Sequence, residues 1–324
     1  MPRSNQNAGF TLVELLVSVA LLGMVIFYLM GTFVVNQKAY MVLDQVTEVQ
    51  QNARAIADLM EKDLRHAGFL VPTGAAVCGV DNTAQPDTVY VSDADALLTT
   101  NALDGDLGAT VSSSVASGSS IVLTVDDVVL DGTAFYDTNA DGTLDADFQV
   151  GGGIVMTDTL DPTRGSMCGT IQAVNPGADT ITLTGVSGAL AATTNPENLV
   201  VVPSHEYRID VAQTDLLRNS MVLARGVEDL QFAVWVDLND DNIVDVNEYR
   251  GNGVDPDYVA SAVDHSESRE MRVSLVTRTR SPDVDFINGQ EQTTENRTAA
   301  GGNDGFRRRV TTSTARLRNV ANRS

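Results

Sequence analysis

The chain has 324 residues and carries 43 Asp and Glu against 21 Lys and Arg, a formal net charge of -22 at pH 7. A body this acidic repels nucleic acid and anionic membrane surfaces at long range, so neither is an expected ligand. Hydrophobic residues at 43% exclude a disordered chain, while aromatic residues at only 5% and abundant polar turn formers point to a protein of strands and loops.

In chain order, the first predicted element is a membrane helix. No residue from Leu15 to Val35 is ionisable, and Phe10 to Val35 would rise about 39 Å as a helix, enough to cross a hydrocarbon core. Its one charge is Glu14, a carboxylate that costs about 2 to 3 kcal/mol to insert near a helix end and therefore needs a partner. A cut between Gly9 and Phe10 supplies one: the new α-amino group of Phe10 on a neighbouring subunit displaced along an axis. A secretory signal peptide does not fit, because its apolar region is shorter and its small-residue cleavage site follows that region. Here the polar leader ending in Gly9 comes first. An ordinary N-terminal anchor explains the apolar run but neither Glu14 nor the Gly9-Phe10 junction.

Gly9, Phe10, Thr11, Leu12, Glu14 and the apolar run after them resemble the type IV pilin superfamily, which includes minor pilins and the pseudopilins of type II secretion. The resemblance implies an α+β pilin fold, a long N-terminal α-helix packed on a C-terminal antiparallel β-sheet domain. It implies that a prepilin peptidase cuts after Gly9 and methylates the Phe10 amine, and that Glu14 guides assembly into a filament. Implied partners are other major and minor pilins, the inner-membrane assembly platform and a tip adhesin. The implied location is the bacterial inner membrane, crossed once with the C-terminal domain in the periplasm, and then the pilus.

Past the membrane run, Val46, Val49, Ala53, Ile56, Met60, Leu64 and Ala67 keep a three-four spacing with charges on the other faces, so the helix continues. It should stop near Ala67-Gly68, ahead of Pro72. Gly23 and Gly31 read as ordinary glycines of a membrane helix, or as points of local melting or close packing. The expected division is a leader over 1–9, a transmembrane helix over 10–36, its amphipathic continuation over 37–67 and a β-rich domain over 68–324. Within that domain Cys78 and Cys168 fit no metal spacing, leaving a disulfide in an oxidising periplasm or two buried thiols.

Strands are expected over 88–91, 120–125, 153–157, 170–174, 180–183, 200–211, 226–236, 269–280 and 307–319, bounded by turn clusters as in antiparallel sheet. The stretch 93–119, rich in Ala, Gly, Ser, Asp and Thr, reads as a long exposed loop. Three later segments, Arg225-Gly226-Val227-Glu228-Asp229-Leu230-Gln231-Phe232, Met271 to Arg278 and Arg307 to Asn319, resemble PilW-like minor pilins. Arg307 to Arg309 could touch DNA, but arginines on a strand pairing with this acidic body are the simpler reading.

Two acidic loops have the spacing of a calcium site. Asp237, Asn239, Asp241, Ile243, Asp245 and Glu248 stand at positions one, three, five, seven, nine and twelve, with Asn242 where Gly is usual; calcium takes six to eight such oxygens. Asp137, Asn139, Asp141, Thr143 and Asp145 repeat the pattern for nine positions, but position twelve is Phe148. A solvated acidic turn, or for the first loop an Asp-Gly hairpin turn, explains the same residues without metal. His66, His205 and His265 are scattered and no catalytic motif is present, so no enzyme is expected. His205-Glu206 reads as a surface or packing pair. The function implied is a structural minor pilin that initiates, primes or caps a pilus. The alternatives are a type II secretion pseudopilin and a membrane-anchored calcium-binding or hydrolytic domain.

Overall fold

The computed structural model describes residues 11–93, 108–117, 120–126, 148–187, 190, 198–239, 241, 243, 245–254, 257–283, 285–287, 289, 292–298 and 304–321. Met1–Glu48 and Val49–Ser324 form two compact units. Helix α1, Leu12–His66, runs through both. Up to Met41 its large apolar residues are exposed on every face, Phe27 and Tyr28 by 83% and 76%, so this stretch has no protein core of its own. One stretch of it, with a mean hydropathy of 2.5, is long and apolar enough to cross a membrane. From Val49 onward the pattern changes. Ala53, Ile56, Ala57, Met60 and Leu64 recur at helical spacing and are buried. The helix ends as expected at Ala67-Gly68, where Gly68 takes a φ of +78° that suits glycine and its N–H bonds the carbonyl of Ser92.

Fourteen strands among the described residues make two antiparallel sheets. In the larger, β1 (Val77–Val80) pairs β2 (Thr88–Val91), which pairs the second half of the long β8 (Leu199–Asp210). The first half of β8 pairs both β3 (Ala109–Ser117) and β5 (Gly153–Asp158). Between these two run β4 (Ser120–Val125), β7 (Thr180–Ser187) and β6 (Ser166–Asn175), each bonded to the next, so six strands close into a small antiparallel barrel. Closure removes the edges that an open sheet would expose.

Period-two alternation lets the barrel wall serve two cores. Ile154, Met156, Met167, Ile171, Leu199 and Val201 point inward with Leu123, Val125, Ile181, Leu183 and Phe148. Their neighbours Val155, Cys168 and Val202 point outward into a larger core. That second core is completed by α1 through Ile56, Met60 and Leu64, and by the smaller sheet. There β12 (Tyr249–Arg250), β11 (Val227–Val236), β13 (Ser268–Arg278) and β14 (Arg308–Arg316) lie side by side in that order. Leu230, Phe232, Val234, Met271, Val273, Leu275 and Ala315 are their contribution. A hairpin of β9 (Asp215–Arg218) and β10 (Met221–Arg225) extends β8, its two-residue turn Asn219-Ser220 having φ of 49° and 64°.

Two expectations are corrected. The region 93–119 is not loop throughout, because residues 109–117 form β3; its alternating Ala109 and Val111 are buried inside the barrel although the surrounding composition is that of a loop. The last strand stops at Arg316. Leu317 then bonds the carbonyl of Arg269 and the chain turns into the short helix α2, Arg318–Ala321.

Candidate functional site

The N-terminus of α1 is built from two side chains three residues apart. Thr11 caps the helix, its hydroxyl accepting the Glu14 N–H at 3.3 Å. Glu14 reaches back, its Oε2 accepting the Thr11 N–H at 3.0 Å and the Thr11 hydroxyl at 2.9 Å. This reciprocal arrangement is a capping box, and the Thr-x-x-Glu spacing carries it in the sequence. The carboxylate is thereby held at the helix start, where the helix dipole favours negative charge. Ser18 satisfies its own hydroxyl on the Glu14 carbonyl at 2.7 Å. Gly9 and Phe10, the expected cleavage junction, lie outside the described residues.

Charge in the C-terminal sheet is internally matched. Arg308 lies between Glu228 and Asp304, with contacts of 2.5 and 2.6 Å, and its side chain is nearly buried. Arg307 pairs with Asp283 at 2.8 Å and stacks over Phe286, while Arg278 pairs with Glu228 and stacks over Phe306. Arg272 takes Glu295 in a bidentate contact and Arg297 takes Asp229. Arginine pairing to the acidic body therefore accounts for Arg307 and Arg308. Glu206 is fully buried on β8, accepting the Thr170 hydroxyl at 2.5 Å, with Arg208 at 3.4 Å and burial raising its pKa. His205 beside it faces Asn219, a packing pair. His265 is also fully buried, 3.0 Å from the Tyr258 hydroxyl.

The loop after β11 divides its six expected calcium ligands. Glu248 is buried and turns back into the sheet, its carboxylate accepting Trp235 Nε1 at 2.9 Å and the Leu238 N–H at 3.1 Å. Asp237 is buried opposite Arg269, 3.4 Å away. Asn239, Asp241 and Ile243 instead form successive side-chain-capped turns, Asp241 N–H to Asn239 Oδ1 and Ile243 N–H to Asp241 Oδ1, at 3.0 and 2.7 Å. Asp241, Ile243 and Asp245 are exposed. No cluster of three or more His, Cys, Asp or Glu able to hold a metal ion occurs among the described residues. The first loop, Asp137, Asn139, Asp141, Thr143 and Asp145, lies outside them.

Two family models match this chain. Residues 4–30 match the prokaryotic N-terminal methylation motif, and residues 194–319 match the type IV pilus-assembly protein W family. The two matched segments are thus similar to type IV pilins, the second of them to the PilW-like ones. A solved structure, a type IV-like pilin from Thermus thermophilus, shares 13% identity over 53% of this chain and 88% of that one, with a TM-score of 0.23. No curated protein matches. The PilW-like segment takes in β8 to β14 and the first half of α2, whereas five of the six barrel strands precede it.

Within this chain, sequence reading missed the contact that fixes the helix to its sheet domain. Asp63 on α1 is buried and accepts the Tyr207 hydroxyl at 2.5 Å and Arg218 Nη2 at 2.7 Å. A lone acid within an apolar helical stripe was the available signal, since a buried carboxylate needs partners. Glu61, two residues earlier, accepts the Ser313 hydroxyl on β14. Cys78 and Cys168 are joined in a disulfide that ties β1 to the outer face of β6 in the barrel.

Proposed function

We propose that this chain is a minor pilin that takes part in initiating, priming or capping a type IV pilus. The observation that carries this reading is the N-terminus of α1: one carboxylate, Glu14, held at the mouth of an otherwise apolar membrane helix by two hydrogen bonds from Thr11, with no cation paired to it among the described residues. An acid in that position costs free energy on insertion unless a cation meets it. The Phe10 amine, freed by prepilin peptidase after Gly9 and then methylated, would be that cation on an adjoining subunit. The apolar half of α1 would anchor the subunit in the inner membrane, with the sheet domain in the periplasm, and afterwards pack in the filament beside major and other minor pilins. Assembly platform and tip adhesin are the further partners.

The test is the intact mass of the protein from membranes and sheared filaments, with and without the peptidase. A chain beginning at Phe10 with one added methyl is expected, lost when the peptidase is absent. Glu14→Ala should be cut normally yet missing from filaments. An uncut chain that stays in the membrane would instead leave an ordinary anchored domain.

A second proposal rests on the loop spacing and on its curled turns: calcium held by Asn239, Asp241, Asp245 and the Ile243 carbonyl. Glu248 would have to exchange the Trp235 and Leu238 hydrogens for the ion. Melting in calcium and in chelator should differ for the wild type and coincide for Asp241→Asn with Asp245→Asn. Equal melting of the wild type would leave a loop closed by Glu248 alone.

A further inference from the structure

The smaller sheet ends at β14, and its last strand leaves one side open. Two flanking bonds fix which side: Thr279 N–H to the Arg307 carbonyl at 3.0 Å, and Leu317 N–H to the Arg269 carbonyl at 2.9 Å. The β13 to β14 register is unbroken between them. Alternation in an antiparallel ladder then assigns the odd-numbered residues to β13 and turns the backbone N–H and C=O of Arg308, Val310, Thr312, Thr314 and Arg316 outward. Among the described residues no backbone hydrogen bond reaches these outward groups. The same residues share one face of the sheet, where Val310, Thr312, Thr314 and Arg316 are exposed, while Ser313 and Ala315 on the other face meet α1 and the core.

Proteins usually blunt such an edge with a short strand, a bulge, a proline or charges along its middle. This one has none of the first three over nine residues, and the segment from Val310 to Ala315 is uncharged. Arg309 and Arg316 stand at its two ends, exposed, with no ion pair among the described residues although the chain is strongly acidic elsewhere. We infer that β14 is a docking edge for an extended segment of another protein chain, one with an uncharged β-forming centre and acidic residues at both ends, added as a fifth strand. Main-chain bonds supply the adhesion in this mode of binding and flanking charges its selectivity. A second copy of β14 is a poor occupant. In the antiparallel register that overlaps the whole strand, the exposed Arg316 of one copy comes beside the exposed Arg309 of the other at both ends, and like charges on neighbouring cross-strand positions destabilise a ladder.

The inference rests on the edge alone and survives or fails separately from the filament reading. The probe is a synthetic nine-residue peptide with a Thr/Val centre and Asp or Glu at each end, compared with the same centre ended by Lys, against the full-length protein in detergent micelles. Hydrogen exchange resolved by residue is the readout. The acidic peptide should slow exchange at the amides of Val310, Thr312 and Thr314 by about tenfold or more, the scale of a newly formed hydrogen bond, and leave Thr311 and Ser313 unchanged. The Lys-ended peptide should do so only at about tenfold higher concentration, and Arg309→Glu with Arg316→Glu should invert that preference. Thr312→Pro, which removes an N–H that bonds nothing in the sheet, should abolish the protection. No protection by either peptide, or equal protection by both, would overturn the proposal and leave the arginines as guards against strand pairing.

Discussion

A histidine and an aspartate in the sheet domain are each held in an unusual protonation state by burial, and their effects on stability run in opposite directions. His265 is wholly enclosed, and burial lowers its pKa from 6.5 to about 4, with the neighbouring Asp264 opposing the shift. Between those values the unfolded chain binds more protons than the folded one, so the contribution is intact above pH 6.5 and declines as pH falls to 4. At 1.36 kcal/mol per unit the window is worth about 3 kcal/mol. Asp87 is the reverse case. It accepts the N–H groups of Asn82 and Phe232, yet burial, aided by the charges of Asp81 and Asp229, raises its pKa to about 8. Its contribution is present below pH 3.8 and declines as pH rises to 8. Because the slopes oppose each other between pH 4 and 6.5, each is read as a difference from the wild type in urea titrations. His265→Gln should be destabilised near neutrality and regain ground on the wild type as pH falls to 4. Asp87→Asn should gain on the wild type as pH rises toward 8. Parallel curves for either variant would mean that the group titrates as it does in water.

At the scale of elements, α1 is attached to the sheets by an apolar stripe and by one polar clamp. Asp63 takes hydrogens from Tyr207 on β8 and Arg218 on β9, so one carboxylate joins three elements. Removing one member of a buried ion pair costs about 3 to 5 kcal/mol, and partial exposure of Arg218 lowers the figure to about 2 to 4 for Asp63→Ala. Tyr207→Phe loses one bond to a charged acceptor, about 1.5 to 3 kcal/mol. Denaturant midpoints check both, and a cycle with Arg218→Ala should show strong coupling, since all three groups share one oxygen. The apolar stripe was readable because Ala53, Ile56, Met60 and Leu64 repeat at helical spacing whatever they pack against. The clamp was not, since its partners stand 144 and 155 residues further along the chain. β3 was hidden for a different reason. Barrel closure buries Ala109 and Val111 through pairing with β4 and β8, a nonlocal cause that a Ser-rich stretch does not advertise. The calcium-like loop shows the limit of spacing: Glu248 stands at position twelve, but a Trp235 indole N–H in the adjoining strand already holds it.

For the molecule as a whole, the question is how a barrel that largely precedes the PilW-like segment stays in register with it. Length and alternation do part of this. β8 pairs the barrel strands through residues 199–204 and β2 and β9 through 205–210, and the wall strands β5, β6 and β8 present alternate side chains to the two cores. Neither core can be lost without exposing the other's wall, so the domain should unfold in one transition. The disulfide adds a covalent tie between β1, beside the larger core, and the barrel strand β6. Cys78 and Cys168 are 90 residues apart in sequence, and the loop they close contains β2 to β5 in full, so reduction frees a long segment of the unfolded chain. Chain entropy for a loop of that length gives about 4 to 5 kcal/mol, and native disulfides of exported domains give 2 to 5 on removal. Cys78→Ser with Cys168→Ser should therefore lose about 3 to 5 kcal/mol in a denaturant titration while keeping a single transition followed by both Trp235 fluorescence and far-ultraviolet circular dichroism. Separation of the two signals would show that the barrel melts by itself and that the disulfide, more than the shared wall, binds it to the sheet beneath. Coincident signals with the full loss in midpoint would place the cooperativity in the wall, with the disulfide acting on the unfolded chain.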